Sequence, residues 1–426
     1  MTRGAGLIAD CHLWQALDSR GDPTVAATIE IGSASGTALA PAGASAGSHE
    51  ALFLRDGGSA YGGRAVADHI ARVQERVRAA VIGVDAADPW AVDGALRALD
   101  GDDRLADIGG HVGTAVSIAA WLAAASAQGV APWQLLVGAT ARPPTLPLPM
   151  VNIVSGGAHA AGIIDIQDVL CVPVGAGSFA EAIEWCSRVR AGTRAVLAEA
   201  GFATALIADE GGLAAPFASD DDAIAAVVEG IARAGLQPGS DVAVALDVAA
   251  TECFAGGQYR MAGQRVSSPE FVDRIRQWRQ RYPLVSIEDG AAEDDDEGWA
   301  LLAELRPETQ VLGDDRYVTS PQRVLRGIER GEANAVLIKP NQAGTLARAL
   351  DAIVAASGAG WASVVSARSG ETEETWLADL AVGTGAGQIK VGSTMRSERT
   401  AKWNRLLWLE QTAGLPYAGR AALARG

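Results

Sequence analysis

Asp247, Glu288, Asp314 and Lys339 follow one another at spacings of 41, 26 and 25 residues, and each stands at the end of a short apolar run: AVALD, LVSIED, VLGDD and AVLIKPN. Carboxylates and an amine can bind a metal or move a proton. Each step is about one strand-plus-helix unit, so the spacing predicts residues at the C-terminal ends of successive parallel strands, the active mouth of a β/α barrel. Three carboxylates converging there repel one another unless a cation lies between them. Oxygen-only ligation with no neighbouring Cys or His points to Mg²⁺ rather than zinc. The ordinary alternative is a set of strand-end carboxylates in solvent or in ion pairs.

Lysine usage sharpens this reading. Of 35 Lys and Arg residues only Lys339, Lys390 and Lys402 are lysines. Arginine keeps its proton at working pH, whereas a buried lysine can lose it, so a lysine retained in an arginine-rich chain suggests chemistry or a compact ammonium group. Lys339 and Lys390 both fall in strand-like runs, AVLIKP and GQIKVG, that otherwise suit a long cation poorly.

Other stretches carry weaker signals. In DEGG (209–212), after the apolar run ALIA, adjacent carboxylates at a strand end can push one pKa upward and let Glu210 act as a general acid near neutrality; the ordinary alternative is an acidic turn. SARSGETEE sets Arg368 and Ser369 at another strand end, where a guanidinium and a hydroxyl suit a phosphate or carboxylate. His159 lies on the small-residue loop SGGAHA as a candidate ligand contact. PAGASAGSHEA (41–51) lacks the GxxxxGK[ST] pattern of a nucleotide loop and reads as a mobile lid or a plain connection.

The rest of the chain must position these groups. Its 426 residues, 49% hydrophobic and 20% charged, allow two or three domains with a large core. A net charge of −16 and no basic run argue against nucleic acid or an anionic membrane as partner. Residues 1–140 form a first unit, with a strand over 25–31 and a helix over 113–128. The proline-rich connector RPPTLPLPM (142–150) leads to a barrel over 141–426. Ser178 with Glu181, Ser219 with Asp222, and Ser320 with Pro321 mark helix starts; Gly201, Gly235 and Gly331 mark the stops. The uncharged run 112–141, broken near Gly129, predicts a buried Ala-rich helix rather than a membrane span. Cys11, Cys171, Cys186 and Cys253 show no CxxC spacing and read as reduced, buried thiols. With no apolar leader at the N-terminus, they suggest a cytoplasmic protein.

Taken in order, LDSRGDPTV, PAGASAGSHEALFLRDGG, LPLPMVNIVSGGAHA, DIQDV, DEGG, ALDVAATE, SIEDG, LGDD, LIKPNQAGTL, RSGETEET and DLAVGTGAGQIKVGS resemble the enolase family along nearly the whole chain. The resemblance implies an α/β fold: a C-terminal enolase-type β/α barrel with a smaller α+β N-terminal capping domain, assembled as a homodimer or larger homo-oligomer. It implies that Asp247, Glu288 and Asp314 bind one Mg²⁺ and that Ser45 helps bind a second. It makes Lys339 the base that removes the α-proton, Lys390 the partner of the substrate carboxylate and Glu210 the general acid. Gln167, Asp168, His159, Arg368 and Ser369 would line the substrate, a small anionic phosphorylated carboxylate. Under these assignments, cations around Lys339 would depress its pKa and leave it a neutral base.

The departures lie on one side of the site. Ala367 replaces the histidine of the family's SHRSGET motif, and Asp168 replaces a glutamate. Ala42 and Ala46 replace hydroxyl residues, and Pro340 follows the presumed base. Losing an imidazole removes a hydrogen-bond donor and opens room for another group. The expectation is a specialised paralogue that makes an enolate or enol ester from 2-phosphoglycerate or phosphoenolpyruvate. The best fit is carboxyphosphonoenolpyruvate synthase of phosphinothricin-type phosphonate biosynthesis, with a nucleotide-activated phosphonoformate as donor. An ordinary hydratase forming phosphoenolpyruvate and water, and a catalytically dead scaffold, are the alternatives.

Overall fold

Apolar runs of four to six residues separated by capped helices bury both faces only when the strands close on themselves and the helices cover the outside. The chain does this in its larger part. In the computed structural model, which describes residues 6–44, 47–160, 162, 164–306 and 308–424, the N-terminal part is an antiparallel sheet of β1 (Asp10–Leu17), β2 (Pro23–Ile31) and β3 (Ala34–Leu39). It packs on the helix Gly110–Gln128. The alanines of that helix allow a very close approach: a Cβ added at Gly36 of β3 would collide with the backbone of Ala119 and Ala123. The helix is long and apolar enough to cross a membrane, yet 83% of it is buried inside the molecule.

The barrel follows. Its strands are β4 (Leu148–Ser155), β5 (Asp168–Val172) and β6 (Ala243–Asp247) and then, after a small sheet of β7 (Phe254–Ala255), β8 (Gln258–Met261) and β9 (Gln264–Val266), five more: β10 (Leu284–Glu288), β11 (Gln310–Gly313), β12 (Ala335–Ile338), β13 (Ala362–Ser366) and β14 (Gly387–Gly392). The eight close in the order β10-β11-β12-β13-β14-β4-β5-β6. The proline-rich connector is shorter than the sequence suggested, because Leu148 to Met150 already belong to β4.

Not all eight strands are parallel, as the spacing had suggested. β5 runs antiparallel to both β4 and β6. Parallel neighbours need a crossover, usually a helix. Between β4 and β5 lie only residues 156–167, with one short turn at Gly157–Ala160, so the chain doubles back. Two successive helices, Phe179–Glu199 and Asp220–Arg233, then fill the return to β6. As a result Asp168, the first residue of β5, lies at the same end of the barrel as the last residues of its neighbours, paired with Ser155 and Asp247.

The helix signals operate locally. Ser178 Oγ accepts from Glu181 N at 3.1 Å and Ser219 Oγ from Asp222 N at 3.2 Å, although Glu181 itself reaches Gly177 N rather than closing a box on Ser178. Gly201, Gly235 and Gly331 follow their helices with φ of 85°, 73° and 63°, the left-handed conformation that costs glycine least. The four cysteines are free thiols, but Cys253 is half-exposed rather than buried, since it sits on the small loop Ala250–Cys253 outside the barrel.

Candidate active site

Strand residues two apart share a face. On β6, Ala243 and Ala245 point into the barrel and Asp247 continues that row, while Val244 and Leu246 join the outer core. The same alternation carries Leu312 to Asp314, Leu337 to Lys339, Val364 to Ser366 and Arg368, and Gln388 to Lys390. Each conspicuous residue is therefore the top of an inward row. Lys339 lies one residue beyond β12 rather than inside it, where it precedes the short helix opened by Pro340. Deeper in the barrel Gln388 and Gln310 exchange hydrogen bonds of 2.9 and 3.0 Å, so the polar floor is internally satisfied.

At the mouth Lys390 Nζ sits between Asp247 Oδ2 (2.7 Å) and Glu288 (2.7 and 2.8 Å). Gln167 Nε2 donates to Asp247 Oδ2 at 3.0 Å, while its Oε1 is buried without a partner. Asp314 does not join that pair directly. Its carboxylate lies against Lys339 Nζ on one oxygen and accepts from Gln342 Nε2 at 2.8 Å on the other. Asp289, unremarked in the sequence, accepts from the backbone N–H groups of Asp314 and Asp315 at 2.8 Å each. Residues next to this cluster occupy left-handed backbone: Ala249 (φ 45°), Asp289 (41°), Val318 (43°) and Thr319 (53°). For β-branched residues that conformation is strained, and such strain gathers where side chains must be aimed.

His159, Gln167, Glu210, Asp247, Asp314, Lys339, Ala367, Arg368, Ser369 and Lys390 line one cavity, with about 30 Å³ of free space among them. That is room for about one water, so a ligand entering here exchanges places with the ammonium–carboxylate contacts. Ser45 and Ala46 lie outside the described residues. Asp168 does not face the cavity. It is fully buried, held by Asn152 Nδ2 and by Ser155 Oγ (2.8 Å), and its other oxygen meets His159 Nδ1 at 3.0 Å. Its short side chain thus orients an imidazole rather than reaching a ligand.

One electrostatic expectation is overturned. Glu210 lies in a turn between the bridging residues Ile207 and Leu213, not at a strand end. Burial would raise its pKa, but His159, Arg399 and Lys390 outweigh burial and hold it below the usual carboxylate range. The pKa of Lys339 is expected to be depressed by bound cations; in the site without them its ammonium form is favoured. Burial pulls its pKa down, yet the Asp314 carboxylate wins and raises it. His159, drawn up by Asp168 and Glu210 against the effect of burial, reaches about 9.

The donor set fits a divalent cation. Glu288 is pushed well above the normal range by burial and by repulsion from Asp247 and Asp314, and Asp289 by burial and by Asp315 and Asp314. Buried carboxylates that repel one another so strongly are where added positive charge is most stabilising. Asp289, Asp314 and Asp315, and separately His159, Asp168 and Glu210, each bring ligand atoms within 4.8 Å of one another.

Several residues here escaped the sequence reading. Glu50 accepts from Arg368 at 3.1 and 3.2 Å, and Ser369 Oγ accepts from Ala44 N at 2.6 Å. Ala42 and Gly370 pair through their backbones at 2.8 Å in both directions. The N-terminal loop is thereby docked on the Arg368 turn. Lys402, the third lysine, is buried against Thr372 O and Glu371, beneath the same turn. Arg399, fully buried, donates to the carbonyls of Arg368 (2.6 Å), Ser369 (2.7 Å) and Val391 (3.0 Å). Arg399→Leu removes the donor to three buried carbonyls, of which Ser369 O keeps Ser19 Oγ at 3.3 Å, and each one left unpaired costs about 1–3 kcal/mol. We expect urea unfolding, followed by tryptophan fluorescence, to show a loss of about 3 kcal/mol or more. Arg399→Lys should recover little, because an ammonium lacks the planar fork; full recovery would show that charge alone matters there.

The model of the enolase C-terminal TIM barrel domain matches residues 143–425, and the model of the enolase N-terminal domain matches residues 8–136.

Proposed function

Because the chain belongs to the enolase family, we propose that it is a Mg²⁺-dependent enzyme that removes the proton α to the carboxylate of a small phosphorylated acid, 2-phosphoglycerate or a close relative. In this reading it is a specialised member whose partner reaction has changed. The observation that carries the proposal is the division of the site. Lys339, Lys390, Asp247 and Asp314 line the cavity, Glu288 is bonded to Lys390, and Ala367, which offers no side-chain donor, lines the same cavity.

The α-proton of a carboxylate is very weakly acidic, since its removal puts a second negative charge on one group. Lys339 would take that proton on Nζ once its ammonium has released one to solvent, and Lys390 Nζ faces the carboxylate oxygens on which charge grows. Asp247, Glu288 and Asp314 would hold the metal, which when bound supplies further positive charge to those oxygens. Arg368 and Ser369 would meet the phosphate, and Asp168 keeps His159 turned toward Glu210, 3.8 Å away.

The partner reaction we favour is formation of an enol ester with a nucleotide-activated phosphonoformate, as in carboxyphosphonoenolpyruvate synthase: the bond from phosphonoformate to the nucleotide breaks as its phosphorus joins the enol oxygen, and the phosphate displaced from that oxygen passes to the nucleotide. What supports it is Ala367. Its backbone N–H is taken up by Lys390 O at 2.9 Å, and its methyl leaves a leaving-group wall without an imidazole. An ordinary hydratase is the second reading, favoured by Glu210 and His159, which still face the cavity. A dead scaffold is disfavoured on energetic grounds, because burying carboxylates that repel one another is a standing destabilisation with no return outside binding or chemistry.

The test is to incubate pure protein with Mg²⁺ and 2-phosphoglycerate in deuterated solvent. Exchange of the α-proton without release of phosphoenolpyruvate supports the specialised reading, and rapid release supports the hydratase. Ala367→His adds one donor to that wall, and a single well-placed donor is worth about 10²-fold. We therefore expect phosphoenolpyruvate release to rise at least about tenfold in this variant. No rise over a wild type that already releases product would decide for the hydratase.

A further inference from the structure

A second chamber, of about 240 Å³, lies beside the central cavity. Ala42, Gly43, Phe53, Arg55, Arg104 and His111 line it, with Asn341 at one side. Gly43 borders both spaces. The wall between them is an ion pair: Glu50 faces the chamber, Arg368 faces the central cavity, and their closest atoms are 3.1 Å apart.

His111 is 2% exposed; its ring makes one weak backbone contact, at Leu52, and no well-formed hydrogen bond. Stacking holds it in place: Phe53 lies 4.3 Å away at 16° on one side and His69 5.1 Å away at 26° on the other. Arg55 caps this column, 4.3 Å from the Phe53 centroid. The amide oxygen of Asn341 is buried without a partner. Arg55 spends Nη1 on the carbonyls of Pro23 and Arg64, and Arg104 spends Nε on that of Glu50. Among the described residues neither guanidinium has a carboxylate within 4.0 Å. Arg55, half-buried, and Arg104, exposed at the rim, bring two cations to one small space beside a buried imidazole, and in a chain of net charge −16 that invites an anion.

We propose that this chamber binds the oxyanion end of the second reactant, a phosphonate or phosphate dianion held by Arg55 and Arg104 with a hydrogen bond from His111. The assignment rests on the reading of the protein as an enzyme that couples its enolate to another anionic molecule. A space of about 240 Å³ suits an acid head group; pockets that bury a whole drug-sized ligand run from about 300 Å³ upward. Ala42, one of the small residues standing where the family carries a hydroxyl, forms part of the wall and widens it on the side nearest the central cavity.

The test is calorimetric titration of the full-length Mg²⁺-loaded protein with phosphonoformate, in the presence of saturating 2-phosphoglycerate. One additional site is expected. Arg55→Gln and Arg104→Gln should each weaken it about tenfold, the scale of one charge-assisted hydrogen bond. Neither should change α-proton exchange more than about twofold, which also shows that both variants are folded. His111→Phe keeps the ring column and removes the nitrogens, so it too should weaken binding; a purely structural ring would not. Competition by inorganic phosphate with the same arginine dependence supports the same oxyanion chemistry. Absence of the additional site in a protein that exchanges the α-proton overturns the proposal, as does binding indifferent to both arginines. Arginine-dependent binding in a protein that exchanges no proton leaves the chamber assigned and removes the enolate reading instead.

Discussion

Lys339→Arg should lower α-proton exchange of 2-phosphoglycerate by about 10³-fold, within the 10²–10⁴ range of a lost general base, while leaving the fold intact. Arginine keeps the positive charge that Asp314 requires in a buried position, so the carboxylate is not left without a cation. What it cannot do is give up a proton at working pH. The substitution therefore separates charge from proton transfer. Lys339→Met removes both and should be as inactive, but among the described residues it leaves the Asp314 carboxylate with Gln342 alone as donor and should also lose stability. The measurement is loss of the α-proton signal in deuterated solvent, beside far-ultraviolet circular dichroism and a thermal melt. Exchange within tenfold of wild type in Lys339→Arg would sink the assignment of Lys339 as the base.

The second large effect concerns Glu288 and the metal. A cation bound only by the folded protein stabilises it by about 2.7 kcal/mol at a hundredfold excess over its dissociation constant. Mg²⁺ should therefore raise the thermal midpoint by roughly 3 °C, and chelation should reduce exchange to background. In Glu288→Gln the gain from Mg²⁺ should largely disappear, and exchange with it. Without metal, the variant should be no less stable than wild type. Glu288 is raised by burial and by repulsion from Asp247 and Asp314, so neutralising it relieves the cluster, while Lys390 keeps Asp247 as its partner at 2.7 Å. An undiminished Mg²⁺ shift in Glu288→Gln would remove Glu288 from the ligand set.

The elements that carry these groups were legible because their signals are local. AVALD, LVSIE and AVLI are apolar and short, and they became strands with their polar ends at one mouth. Ser178, Ser219 and Ser320 capped the helices they announce, since an N-cap bond spans only a few residues. The scarcity of lysine was informative as well: Lys390 and Lys402 are buried and Lys339 nearly so, all around the site.

Other features depend on contacts that no short window contains. The reversal of β5 followed from a connection too short for a crossover, which put Asp168 beneath His159 rather than against a ligand. DEGG resembled a strand end because ALIA is apolar, but bridges from Leu213 to Val154 and Ile207 made it a turn. The direction in which Glu210 shifts was misjudged from adjacency in the chain, because the charges that decide it, His159 and Arg399, arrive from distant segments. The sequence by itself thus determined the barrel, its ring of acids and lysines, and the family. Only the tertiary structure decided which charge faces which, and brought Arg55, Arg104 and His111 around one chamber. Local propensity and alternation act over a few residues, whereas electrostatics and cavities are set by what the fold brings within a few ångströms.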